Sequence, residues 1–193
     1  MRSLSQMFAQ QKYAVYRSCM KDPQLTLLYR YACKRADNGT MGTDPRSPGA
    51  AAAAGDVFMD GLLVDFLSLA EEVTRLRLLP TYSYFRVYKR GDTLVKHMDR
   101  PSCEISLTLC LGYEAEGPWP LYLDGPNGIS SIELAPGDAL LYRGTEMTHW
   151  REPMKGERAA QVFLHYVDQN GPYAEWKYDK RKELPFSVPR GLK

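Results

Sequence analysis

Histidine is scarce in this chain: three occur among 193 residues, at positions 97, 149 and 165. Cysteine is nearly as rare. Cys19, Cys33, Cys103 and Cys110 show no CxxC spacing and are too few for a disulfide framework, and the pair seven apart faces opposite sides of any regular strand. Four reduced thiols in a cytoplasmic protein are the expectation. Charge of one sign is not in excess either. With 25 basic and 23 acidic residues there is no global field to attract nucleic acid or a membrane surface. The longest apolar-rich run, residues 57 to 79, is broken by Asp60, Asp65, Glu71, Glu72, Arg75 and Arg77, which excludes a spanning helix. The first twenty residues carry Arg2, Lys12 and Arg17 without the apolar stretch of a secretory leader. What is left is a single domain over 1–193, long enough to bury a real core.

The apolar pattern divides the chain at Pro80. Leu4, Met7, Phe8, Ala14 and Val15 suggest a helix within residues 1 to 21. A second helix opens at Asp22-Pro23, runs along Leu25, Leu28, Tyr29 and Ala32, and ends at Asn38-Gly39. Glycine, proline and alanine from Thr40 to Gly55 read as a mobile loop. Asp56 then caps a long helix with Leu62, Leu63, Phe66, Leu67, Ala70, Val73 and Leu76 at helical spacing, stopped by Pro80.

After Pro80 the period falls from 3.6 to 2. Tyr82, Tyr84, Arg86 and Tyr88 alternate with Ser83, Phe85 and Val87. From Cys103 to Leu111, Ser106, Thr108 and Cys110 alternate with Ile105, Leu107 and Leu109, so the leucine face belongs to a core and the hydroxyl face to something wet. Further strands are expected at 119–123, 129–134, 139–142 and 159–167, with turns at Gly125-Pro126-Asn127-Gly128 and Pro136-Gly137-Asp138, before a polar tail over 169–193. Helices followed by about eight short strands indicate an antiparallel barrel or sandwich with helices on its outer face.

His97 and Asp99 are two residues apart, so in an extended chain both side chains leave the same face. Adding His149 gives two imidazoles and one carboxylate, a set that occupies one face of an octahedral ion and leaves positions open for a co-substrate and O2 on Fe(II). Taken alone, a His-x-Asp is a common accident of sequence; its surroundings are more specific.

From Leu79 to Val167 the pattern resembles the Fe(II)- and 2-oxoglutarate-dependent dioxygenases, in particular their prolyl-4-hydroxylase-like branch. The residues that carry the likeness are Tyr88-Lys89-Arg90-Gly91, His97-Met98-Asp99, Pro136-Gly137-Asp138, His149, and Arg158 ahead of a strand. The resemblance implies a double-stranded β-helix (jelly-roll) over 80–168 supported by helices over 1–79. It also implies Fe(II) on His97, Asp99 and His149, with 2-oxoglutarate and O2 as co-substrates and ascorbate as a stimulant. Arg158, nine residues after His149, is expected to grip the distal carboxylate of 2-oxoglutarate, with Tyr88, Ser106 and Thr108 beside it. Alternation then puts His165 on the opposite face of its strand, as a packed or half-exposed structural histidine.

The implied reaction is hydroxylation of an unactivated C–H bond of a small amino-acid-like or natural-product substrate, with 2-oxoglutarate decarboxylated to succinate and CO2. Hydroxylation of a peptidyl side chain, or desaturation or cyclisation at the same iron, stays open, as does a jelly-roll that binds metal or ligand without turnover. Candidate substrate contacts are Tyr82, Tyr84, Arg86, Arg100, Trp119 and Arg151, and the arginines near the ligands, Arg143 among them, suit a carboxylate-bearing substrate. No nucleic-acid or membrane partner is expected, and oligomeric state is not legible.

Overall fold

The computed structural model describes residues 2–185. Ser3 forms a capping box with Gln6 and starts helix α1 (Leu4–Gln11), which stops at Lys12 in the left-handed conformation. The helix expected within 1–21 is thus cut short, and Tyr-Ala-Val-Tyr, aromatic and β-branched, forms strand β1 (Tyr13–Tyr16) instead. Helix α2 (Gln24–Asp37) ends at Asn38-Gly39 as read, while Asp22 accepts from the amide of Thr26 in its first turn.

The segment 40–55 folds as a hairpin, β2 (Gly42–Asp44) and β3 (Ser47–Ala54), where its composition suggested a loop. Its small side chains are what allow this. Ala51 to Ala54 pair with Val87 to Tyr84 of β4 (Leu78–Lys89), and a Cβ on Gly49 would lie 1.9 Å from Asp92 Oδ1. Asp56 caps α3 (Val57–Asp65) through the amides of Phe58 and Met59. The single long helix expected from there is two, because Phe66, with ψ −2°, separates α3 from α4 (Leu67–Thr74), which Arg75 ends in the left-handed conformation. Pro80 stops no helix. It sits within β4 opposite Tyr166, beside a bulge where its missing N–H is tolerated.

The remaining strands are β5 (Leu94–His97), β6 (Ile105–Glu114), β7 (Leu121–Gly125), β8 (Gly128–Ile132), β9 (Ala139–Arg143), β10 (Thr148–Arg151) and β11 (Arg158–Asp168). They assemble into a seven-stranded sheet, β1-β9-β6-β11-β4-β3-β2, and a four-stranded sheet, β5-β10-β7-β8, the jelly-roll expected. The polar tail forms a 3-10 segment over Ala174–Lys180, and its last part, with Pro189, lies outside the described residues. No helix among the described residues is long and apolar enough to cross a membrane.

The two faces of the large sheet decide where a polar site can form. Ile105, Leu107, Leu109 and Leu111 of β6, with Ala160, Val162 and Leu164 of β11, pack against Met59, Leu63, Ala70 and Val73 of the helices. Each buried aliphatic side chain of this size contributes roughly 1.5–3 kcal/mol, so this face is held to the helices. The opposite face, bearing Tyr84, Arg86, Ser106, Thr108, Phe163 and His165, turns toward the small sheet.

Candidate metal centre

β5 and β10 are neighbours, and their antiparallel register sets His149 opposite His97. The ring centroids are 4.3 Å apart. Beyond β5 the chain turns so that the Asp99 amide donates to the Gly144 carbonyl at 3.0 Å. This brings Asp99 Oδ1 to 3.6 Å from His97 Nε2 and 3.7 Å from His149 Nε2. An ion bound at about 2.0–2.2 Å to each atom needs little further closing. The three side chains expected as ligands therefore form one group able to hold a metal ion.

Both imidazoles are held in the tautomer that metal binding requires. His97 Nδ1–H donates to the Val95 carbonyl at 2.6 Å and His149 Nδ1–H to the Met147 carbonyl at 3.1 Å. A carbonyl only accepts, so the proton is on Nδ1 and the Nε2 lone pair is free for the site. The second oxygen of Asp99, Oδ2, accepts from the Ser106 hydroxyl at 2.9 Å, and Ser106 Oγ in turn accepts from His165 Nδ1–H at 3.0 Å. Burial pushes His149 and His165 each down to about 4, which keeps both neutral. Burial works to raise Asp99, but the polar groups around it, the donating Ser106 hydroxyl among them, hold its carboxyl well below the usual range. Burial drives the Cys103 thiol up to about 12, with the Tyr82 hydroxyl 3.2 Å from its sulfur.

Two guanidinium groups are buried inside the barrel, and they differ in one respect. Arg86 is paired with Asp44, which the hairpin carries. Arg151 is 2% exposed and shares with His149 the inward face of β10, yet no carboxylate pairs with it among the described residues. It donates one N–H to the Trp119 carbonyl and lies 4.8 Å over the Trp119 ring, while its Nε has no partner. Burial lowers its pKa. Thr108 Oγ1 and Gln161 Oε1, on the strands that face β10, are unpartnered as well. A buried cation without a counterion costs several kcal/mol, and a bound carboxylate would relieve it.

A cavity of about 290 Å³ joins the ligands to Tyr82, Tyr84, Arg86, Arg100 and Thr108. Ser106 is bonded to Asp99, and Tyr88 is fully buried with its hydroxyl accepting from Arg86 at 3.2 Å. Other expectations need correction. Arg158 is on the helix side of β11, where it forms a two-pronged pair with Asp37 (2.8 and 3.2 Å), so it is not at the cavity. His165 is the inward residue instead. Trp119 is not on the cavity: it packs edge-on against Tyr88 and lines a separate groove of about 870 Å³. Arg143 pairs with Glu146 and does not line the cavity either, and nor does Arg151, which is buried two residues beyond His149.

Sequence reasoning missed Asp44, Tyr142, Gly144 and the role of His165. Tyr142 continues the alternation of Leu140 and was legible as an inward position; its hydroxyl lies 3.5 Å from His149 Nε2. Asp44 and Gly144 gave no local signal.

No family model matches this chain, and no curated protein does. Solved structures do. A prolyl-4-hydroxylase from Pseudomonas putida superposes with a TM-score of 0.69 at 16% identity, over 84% of this chain and 96% of that one. The epimerase SnoN, in complex with Fe3+, alpha ketoglutarate and nogalamycin RO, gives 0.73 at 10% identity, over 97% and 92%. HygX from Streptomyces hygroscopicus, with nickel, 2-oxoglutarate and hygromycin B bound, gives 0.69 at 12% identity, over 88% of each chain. At these identities the likeness is one of fold: this chain has the jelly-roll of the iron and 2-oxoglutarate oxygenases.

Proposed function

We propose that this protein is an Fe(II)- and 2-oxoglutarate-dependent oxygenase acting on a C–H bond of a small amino-acid-like or natural-product substrate. The observation that carries the reading is the convergence of His97, Asp99 and His149 with both Nδ1 atoms tied to backbone carbonyls. The unpaired guanidinium of Arg151 supports it independently.

His97, Asp99 and His149 would hold the iron, and Arg151, the buried cation that no carboxylate pairs among the described residues, would take the distal carboxylate of 2-oxoglutarate in the role first expected of Arg158. When bound, iron with 2-oxoglutarate and O2 supplies an oxidant able to break C–H bonds, at the cost of decarboxylation to succinate and CO2. The chain's own part is to position and protect. Ser106 and His165 fix the orientation of Asp99. Leu94, Leu121 and Phe163 give the cavity apolar walls that limit water. A cavity this small with a hairpin at its mouth favours a small molecule over a peptide strand. Hydroxylation, desaturation and cyclisation differ only in where the substrate is held.

The test is turnover without substrate. Protein supplied with Fe(II), 2-oxoglutarate, O2 and ascorbate is expected to release succinate slowly, and His97→Ala to abolish it. Tight metal binding with no succinate from the wild type would favour a binding protein without turnover.

A further inference from the structure

One carboxylate enters the cavity from outside the barrel. Asp44 closes β2, the outermost strand of the large sheet, and is 8% exposed. Its Oδ2 accepts from the Tyr84 hydroxyl at 2.9 Å, from Arg86 Nε at 3.1 Å and from Arg86 Nη2, while Oδ1 accepts from the Arg46 amide at 2.7 Å. Arg86 is held far more firmly than its partner. It belongs to β4, paired on both sides, and its guanidinium lies 4.9 Å from the Tyr84 ring and 5.0 Å from the Phe163 ring. β2, by contrast, has three residues, pairs with β3 alone among the described residues, and loses register between Gly42 and Asp44. One further bond, from the Val95 amide to the Arg46 carbonyl, ties the tip to β5. Asp44, Tyr84, Arg86 and Phe163 all line the cavity that holds the three candidate ligands.

A planar cation held against two neighbouring aromatic rings is built to grip a carboxylate. Here the carboxylate comes from the last, three-residue strand at one edge of the sheet. We propose that Arg86 and Tyr84 receive the carboxylate of the primary substrate, and that Asp44 holds that place until the substrate arrives. The proposal rests on the oxygenase reading and names its substrate class: a small carboxylic acid whose apolar part lies along Tyr82 and Phe163. The exchange moves no net charge, since one carboxylate leaves the guanidinium as another binds.

The experiment uses the full chain loaded with Ni(II) and 2-oxoglutarate, titrated calorimetrically with two matched pairs: 3-phenylpropionate against 3-phenylpropionamide, and 4-methylpentanoate against its amide. The expected result is at least tenfold tighter binding of one or both acids than of the matched amide. Asp44→Asn, which weakens the competitor, should tighten the acid about tenfold and leave the amide unchanged. Arg86→Lys, which keeps the charge and loses the fork, should remove the preference. Bound acid should also speed hydrogen exchange of the Arg46 amide, whose acceptor is Asp44. Equal binding of acid and amide in both pairs overturns the proposal. So does weaker acid binding in Asp44→Asn, the result expected if Asp44 is only a clasp. The visible absorption band of an Fe(II)–2-oxoglutarate chelate, read on the same preparation, separates the two claims: with the band present and no acid preference, only the substrate assignment falls, and without the band both fall.

Discussion

Ser106 holds Asp99 by the oxygen that does not face the imidazoles. Its hydroxyl is 2.9 Å from Oδ2, while Oδ1 stands 3.6 Å from His97 Nε2 and 3.7 Å from His149 Nε2. The carboxylate is thus oriented before any ion arrives. Ser106→Ala should lower Co(II) or Fe(II) affinity by about 10–100-fold, the usual cost of losing such an outer contact, with the fold retained. A metal titration beside a far-UV spectrum checks it, and unchanged affinity would mean that Asp99 needs no such support.

Gly144 should be as sensitive as a ligand although it has no side chain. A Cβ there would lie 2.4 Å from Asp99 Oδ2, 2.4 Å from the Cys103 carbonyl and 2.8 Å from Ser106 Oγ. Gly144→Ala must push Asp99 or the backbone aside, and overpacking of this kind costs about 1–3 kcal/mol. The variant should bind metal at least about tenfold more weakly than the wild type and unfold at lower urea. Wild-type metal affinity in Gly144→Ala would show that the loop yields freely.

Arg151 and Arg158 should separate cleanly in 2-oxoglutarate binding. Hydrogen bonds to a charged group contribute about 1.5–3 kcal/mol, so Arg151→Gln should weaken 2-oxoglutarate by roughly tenfold to a hundredfold with metal affinity retained. Arg158→Gln, which loses only its pair with Asp37, should change it less than about twofold. Calorimetry on Ni(II)-loaded protein decides. The reverse ranking would return the anchor to β11.

Acid should destabilise the metal-free protein well before its carboxylates titrate. His149 and His165 are pushed by burial from 6.5 to about 4, so between those values the unfolded chain binds protons that the folded chain does not. Their contribution is complete above about pH 6.5 and is lost as pH falls toward 4, by roughly 3 kcal/mol for each histidine. Urea midpoints at pH 7.5, 6 and 5 should fall in that order. Metal bound at His149 competes with the proton for Nε2, so the loaded protein should hold its midpoint to lower pH. A flat profile in the metal-free protein would show that these imidazoles are not buried as neutral groups.

Much of the fold was readable along the chain because its information is local. The alternation from Tyr82 to Tyr88 and along β6, the cap at Asp56 and the turn at Gly137 depend on backbone period and on side chains a few residues apart. The hairpin at 42–54 was not readable, because alanine and glycine say little about themselves. Their small size matters only once β4 and Asp92 are against them.

The same division runs through the site. By itself the sequence determined that His97 and Asp99 leave one side of an extended chain, since strand parity needs no partner; His149 joins them only through the register of β10 on β5. Only the tertiary structure decided which face of β11 looks inward. That choice rests on which alternate residues the helices cover, and it moved Arg158 out to Asp37, brought His165 in behind Asp99, and left Arg151 as the buried cation without an acid. A strand has two equivalent faces until a neighbour buries one of them.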